Sequence, residues 1–158
     1  MVINKNHGFT LIEVMIVVAI VGVLMGIGVP AMRNFVMNSR MTAAVNDIAI
    51  SLTLARSEAI KRGQNITITQ TSGAWVNGWS VKDADNVILQ NVDAMESATT
   101  LVLDTGKTSL VYASTGRLTT SPTVETFTLC DDRNGETGRE ITISATGRVS
   151  TAKYGCDP

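Results

Sequence analysis

The feature that most constrains this chain is an uncharged run from Val14 to Met32, with Glu13 before it and Arg33 after it. Wound as an α-helix at about 1.5 Å per residue, a run of this length is about enough to cross the hydrocarbon core of a bilayer. A secretory signal peptide fits poorly. Its apolar region is shorter, a basic segment precedes it, and a small-residue cleavage site follows it. Here the polar leader Met1 to Gly8 carries one Lys, and no Ala-x-Ala pattern closes the run. The segment reads as a retained anchor. Lys5 is the only Lys or Arg before Arg33. The positive-inside preference then places Met1 to Gly8 in the cytoplasm and the bulk of the chain beyond the membrane.

Past the anchor the apolar pattern changes but stays helical. Phe35, Met41, Ala44, Val45, Ile48, Leu52, Ala55 and Ala59 recur at spacings of three and four, which lines one face. Arg40, Asn46, Asp47, Ser57, Glu58 and Lys61 fill other positions. Lys61-Arg62-Gly63 is a stop signal, with cations near the negative end of the dipole and Gly for the cap. The pattern predicts one helix from Phe9 to Arg62, apolar all round in its first half and amphipathic in its second. Pro30 is expected to kink or loosen it.

From Gln64 the period becomes two. Strands are expected at 65–69, 79–82, 87–90, 101–103, 109–113, 126–130, 139–144 and 148–151, punctuated by Gly, Asn and Asp. Trp75 to Trp79 is expected to place two aromatics around a Gly turn. The predicted fold class is α+β, with a mostly antiparallel sheet packed on the outer half of the helix. Cys130 and Cys156 fit neither a redox CxxC pair nor a four-ligand zinc site. Beyond the membrane they read as a disulfide; the alternative is two buried free thiols.

Glu13 is the anomaly, because a carboxylate in a membrane segment usually needs a partner. One reading is an interfacial residue favoured by the helix dipole. The other comes from its neighbours. Gly8-Phe9-Thr10-Leu11-Ile12-Glu13, followed by the apolar run, resembles the cleavage and methylation motif of type IV pilins and pseudopilins. Two Gly-Arg pairs, Gly116-Arg117 and Gly147-Arg148, together with the two Cys, resemble the GspH/FimT branch of minor pilins and pseudopilins.

The resemblance implies a pilin fold and a short leader, residues 1–8, removed by a prepilin peptidase that cuts between Gly8 and Phe9. Phe9 would then become an N-methylated amine. Glu13 would neutralise the amine of a neighbouring subunit, so that a charge costly alone sets register when paired. Residues 9–31 would span the membrane, 32–63 would form the amphipathic half of the helix, and 64–158 the β-rich domain. Implied partners are major and minor pilins, the prepilin peptidase, an assembly platform in the inner membrane, and inner-membrane lipid. The implied location is the bacterial inner membrane, crossed once, with the domain in the periplasm, and then a pilus or pseudopilus.

The leading functional expectation is a minor pilin of a type IV pilus that supports assembly, adhesion, twitching or DNA uptake. The alternatives are a minor pseudopilin of a type II secretion system and a DNA receptor for transformation. An enzyme is not expected. The single His, His7, lies in the leader, and no phosphate- or dinucleotide-binding loop appears, so neither a cofactor nor a catalytic set is assigned. Asp131 to Glu136 is rich in oxygen ligands but lacks EF-hand spacing, and reads as a polar hairpin turn rather than a metal site. Arg148 and Lys153 are the candidate DNA contacts, with Arg117 or Arg139 beside them. Some members of the branch carry Gly-Arg-x-Arg, whereas here Ser150 stands in place of the second Arg. The competing reading is a strand turn at Gly147 with Arg148 paired to an acid.

Overall fold

A long helix, α1 (Leu11–Arg62), comes first among the described residues. The computed structural model describes residues 9–95, 99–119, 123–133 and 135–156. The Gly8 side of the expected cleavage site, and Asn134 of the polar turn, lie outside the described residues. Helix α1 begins at Leu11 rather than Phe9 because Thr10 takes the capping position: the Glu13 amide donates to the Thr10 hydroxyl. Its backbone stays helical through Pro30, so the proline does not end it.

The chain divides into two units, at Met37 and Asn38. In the first, the large apolar side chains from Phe9 to Val36 are exposed. That part of α1 is long and apolar enough to cross a membrane, and an all-round apolar helix is stable where lipid or other chains cover it.

The second unit joins the rest of α1 to eight strands. Met41, Val45, Ile48, Leu52, Ala55 and Ala59 are buried and Ala44 partly so, as the periodicity predicts. Phe35 departs from that stripe: it lies in the first unit and is exposed. The strands are β1 (Ile66–Thr71), β2 (Ala74–Lys82), β3 (Ile88–Val92), β4 (Thr100–Leu103), β5 (Ser109–Tyr112), β6 (Glu125–Cys130), β7 (Gly135–Ile143) and β8 (Val149–Cys156).

They form two four-stranded antiparallel sheets in place of one. The orders are β3-β2-β1-β5 and β4-β6-β7-β8. The chain leaves the first sheet to lay down β4 and returns to it for β5, a crossing that strand periodicity does not encode. β2 is also longer than expected. Trp75 to Trp79 lies inside it, with Gly78 packed against the backbone of Val92 rather than at a turn.

Alternate residues of both sheets meet the helix. Ile66, Ile68, Val81 and Leu110 come from the first sheet, and Leu101, Phe127, Leu129, Ile141 and Ile143 from the second. Trp75 and Phe127 join the sheets edge to face, with centroids 5.0 Å apart. Each indole N–H has an acceptor. Trp75 donates to the Lys107 carbonyl at 2.9 Å, and Trp79 donates to Ser51 Oγ at 2.9 Å. Ser51 in turn donates to the Asp47 carbonyl. The last turn of α1 is tied down by Arg62, which reaches Glu58 through Nε and Asp83 through Nη1 at 3.0 Å. Those contacts hold the Glu58 carboxyl below its ordinary range, first through Arg62 and then Lys61. The fully buried Glu125 carboxylate accepts from the Thr105 hydroxyl at 2.5 Å and pairs with the Lys107 ammonium.

Candidate assembly site and the arginine turns

Glu13 is not a bare carboxylate in the single chain. Its Oε2 accepts from the Thr10 backbone N–H at 2.8 Å and from the Thr10 hydroxyl at 3.0 Å. With the Glu13 amide donating back to Thr10 Oγ1 at 3.3 Å, this is a reciprocal capping box. Thr10 stands within the Gly8 to Glu13 motif, but its capping contacts with Glu13 were not among the expectations. The signal was present, since Thr-x-x-Glu directly before an apolar run is the pattern of such a box. The arrangement gives Glu13 a local partner at the first turn, where the helix dipole also favours negative charge. One oxygen, Oε2, carries both contacts from Thr10, which leaves acceptor capacity on the carboxylate for a further cation.

The two Gly-Arg pairs occupy matching turns. The Gly116 amide donates to the Ala113 carbonyl and the Gly147 amide to the Ser144 carbonyl, each at 2.8 Å. The amides of Ala113 and Ser144 close the turns on the carbonyls of Arg117 and Arg148. Gly147 has φ +78°, and a Cβ there would lie 2.3 Å from the Gly116 carbonyl oxygen. So the two turns touch, and only glycine fits between them. The Arg56 side chain, from α1, donates to the same Gly116 carbonyl at 3.1 Å. This contact accounts for Gly147 without any ligand; Gly116 has φ +74°, and a Cβ there would lie 2.6 Å from the Ile60 side chain of α1.

The structure divides the expected basic patch. Arg148 follows the Gly147 turn beside the Arg117 turn. Lys153 sits five residues further along β8, about 17 Å away at strand rise, directly opposite Arg139 on β7. Arg148 is exposed and makes no ion pair among the described residues, so the expected pairing with an acid is not found. Asp131 is engaged by Arg133, through the Arg133 amide at 3.0 Å and Nε at 2.9 Å. No group of side chains suited to a metal occurs among the described residues.

Beside the arginine turns, Tyr112 is fully buried and its hydroxyl has no hydrogen-bond partner among the described residues. Burial pushes its phenol up to about 12, against a smaller opposing pull from Arg56.

Cys130 and Cys156 are bonded, with Cα atoms 5.9 Å apart. They close the ends of β6 and β8, which are separated in the sheet by β7. Two strand spacings would put them about 9–10 Å apart. The ladder register shifts between Gly135 and Gly138, which lets the outer strands pinch together. A Cβ on Gly138 would fall 2.2 Å from Cys156 Sγ.

Residues 44–147 match the family model described as Type II transport protein GspH, and residues 3–29 match that of the prokaryotic N-terminal methylation motif. The chain belongs to the GspH family. Members of this family are structural pilin and pseudopilin subunits, and the long helix with antiparallel sheets is their fold. A probable minor fimbrial protein of Dichelobacter nodosus is 33% identical over 113 residues, 67% of this chain and 70% of that protein. A fimbrial protein of Pseudomonas aeruginosa is 40% identical over 68 residues. That match spans only 44% of the relative's length.

Among solved structures, the type IV minor pilin FimU of Pseudomonas aeruginosa superposes with a TM-score of 0.64 at 25% identity. It covers 73% of this chain and 90% of FimU. The minor pseudopilin EpsH from the type 2 secretion system of Vibrio cholerae gives 0.56 at 15% identity, over 72% of this chain and 97% of EpsH, which shows the shared fold alone. None of these names speaks of DNA.

Proposed function

We propose that this GspH-family chain is a minor subunit of a type IV pilus. It would be made as a precursor, cut between Gly8 and Phe9, methylated on the Phe9 amine, and built into the filament through α1. The observation that carries this reading is the likeness to FimU, which combines the higher TM-score with 25% identity across 90% of that minor pilin. The minor fimbrial relative, similar over two thirds of this chain, supports it independently.

In this reading the exposed apolar half of α1 first lies in the inner membrane, with the strand domain on the periplasmic side. It then moves among the helices of other pilins. Glu13 meets the charged amine of a neighbouring subunit in place of, or in addition to, its own Thr10. The chemistry is pairing and packing, with no catalytic role. The prepilin peptidase and a membrane assembly platform are the partners this route requires.

A second reading, a minor pseudopilin of a type II secretion system, is favoured by the family model's own description. Deleting the gene and scoring both outputs separates them. Loss of sheared surface filaments with protein secretion intact supports the pilus. Loss of secretion with filaments intact supports the pseudopilus and overturns the first reading.

A further inference from the structure

Strand β8 is held in an unusual way. From Ser150 to Gly155 every residue is exposed, so neither face of the strand is covered. Only Val149 packs against the core, and only partly, while Cys156 is buried at the far end. By contrast Ile141 and Ile143, on the neighbouring β7, are fully buried among residues of α1 and the other strands. The core is therefore closed without β8. What retains β8 is its ladder to β7, from Ile143 with Val149 to Gly135 with Cys156 with a register shift before the last pair, and the disulfide that reaches across β7 to Cys130. An edge strand with so little apolar anchoring belongs to the low-stability end of a fold.

We propose that β8 is a strap clipped in place by the Cys130–Cys156 disulfide, and that reduction releases it while the rest of the domain stays folded. The step takes two electrons and two protons from a dithiol. The protein disulfide becomes two thiols, and the dithiol is oxidised to its own disulfide. Release uncovers the outer ladder edge of β7, nine residues long, and makes β7 the border strand in place of β8. Oxidation returns β8 to its place, so that β8 and not β7 is the border strand of the sheet.

Hydrogen exchange on the full-length chain in detergent micelles, with and without dithiothreitol, tests this. Reduction should speed exchange of those Val149–Cys156 amides that bond β7 by about tenfold or more, and leave the bonded amides of Ile66–Thr69 and Phe127–Leu129 unchanged. The double variant Cys130→Ser with Cys156→Ser should show the same local pattern without reductant. Unchanged exchange in β8 would overturn the strap, since the ladder alone would then suffice. Uniform acceleration through β1 and β6 would overturn it equally, because the disulfide would then hold the whole domain.

Discussion

Single side chains decide how the two sheets and the helix are joined. Ser51 is a polar residue on the buried face of α1, and its hydroxyl is the acceptor for the Trp79 indole. Replacing it by Ala leaves a buried N–H without a partner, a loss of about 1–3 kcal/mol. Chemical denaturation of Ser51→Ala against the parent protein should read that loss; a difference below about 0.5 kcal/mol would mean the indole is satisfied in another way. Tyr112 makes a pH-dependent contribution. Its phenol is raised to about 12 in the folded protein, from about 10 in an unfolded chain. The neutral form is the one the fold accommodates. Its stabilisation is complete below pH ~10 and is lost as pH rises from there towards ~12. In Tyr112→Phe the corresponding slope of stability against pH should disappear. A slope unchanged by that substitution would place its origin elsewhere.

At the scale of elements, the border of the second sheet depends on Gly138. The side chain of any other residue there would occupy the position of Cys156 Sγ. Gly138→Ala should therefore hinder closure of the disulfide, seen as a raised fraction of alkylatable thiol in the purified chain. Full oxidation of the variant would contradict this account of the pinched strands. How much of this was legible in the sequence differs by element. The amphipathic face of α1 was, because a helix writes its buried side at fixed spacing, and six of its eight expected residues are buried. Every described strand overlaps a segment expected from the sequence, but β2, β7 and β8 extend further than those segments. In β8 that is because exposed Lys153, Tyr154 and Gly155 are recruited by pairing with β7 rather than by burial. The division into two sheets was not legible, since β4 and β5 are short, similar strands whose partners lie far away in sequence. At the candidate site, Thr10 was written in its spacing from Glu13. The meeting of the Gly116 and Gly147 turns was not, because it depends on how the two sheets come together over Arg56.

The whole molecule pairs two unlike units, and each answers to a different solvent. The strand unit buries its own core. The first unit leaves its apolar side chains open, from Phe9 to Val36, and so calls for lipid or other helices around it. On the pilin reading it uses both in turn, and Glu13 is the residue that tells the two environments apart. In the lone subunit the Thr10 box serves the carboxylate; on that reading a neighbour's amine joins or replaces it in the filament. The most direct measurement is filament incorporation of Glu13→Ala, read beside leader cleavage and membrane accumulation of the same variant. The account predicts a variant that is cut between Gly8 and Phe9 and accumulates in the membrane, yet is reduced at least about tenfold in sheared filaments, the cost of losing a pairing worth ~1.4 kcal/mol or more. Incorporation at the parent level would contradict it.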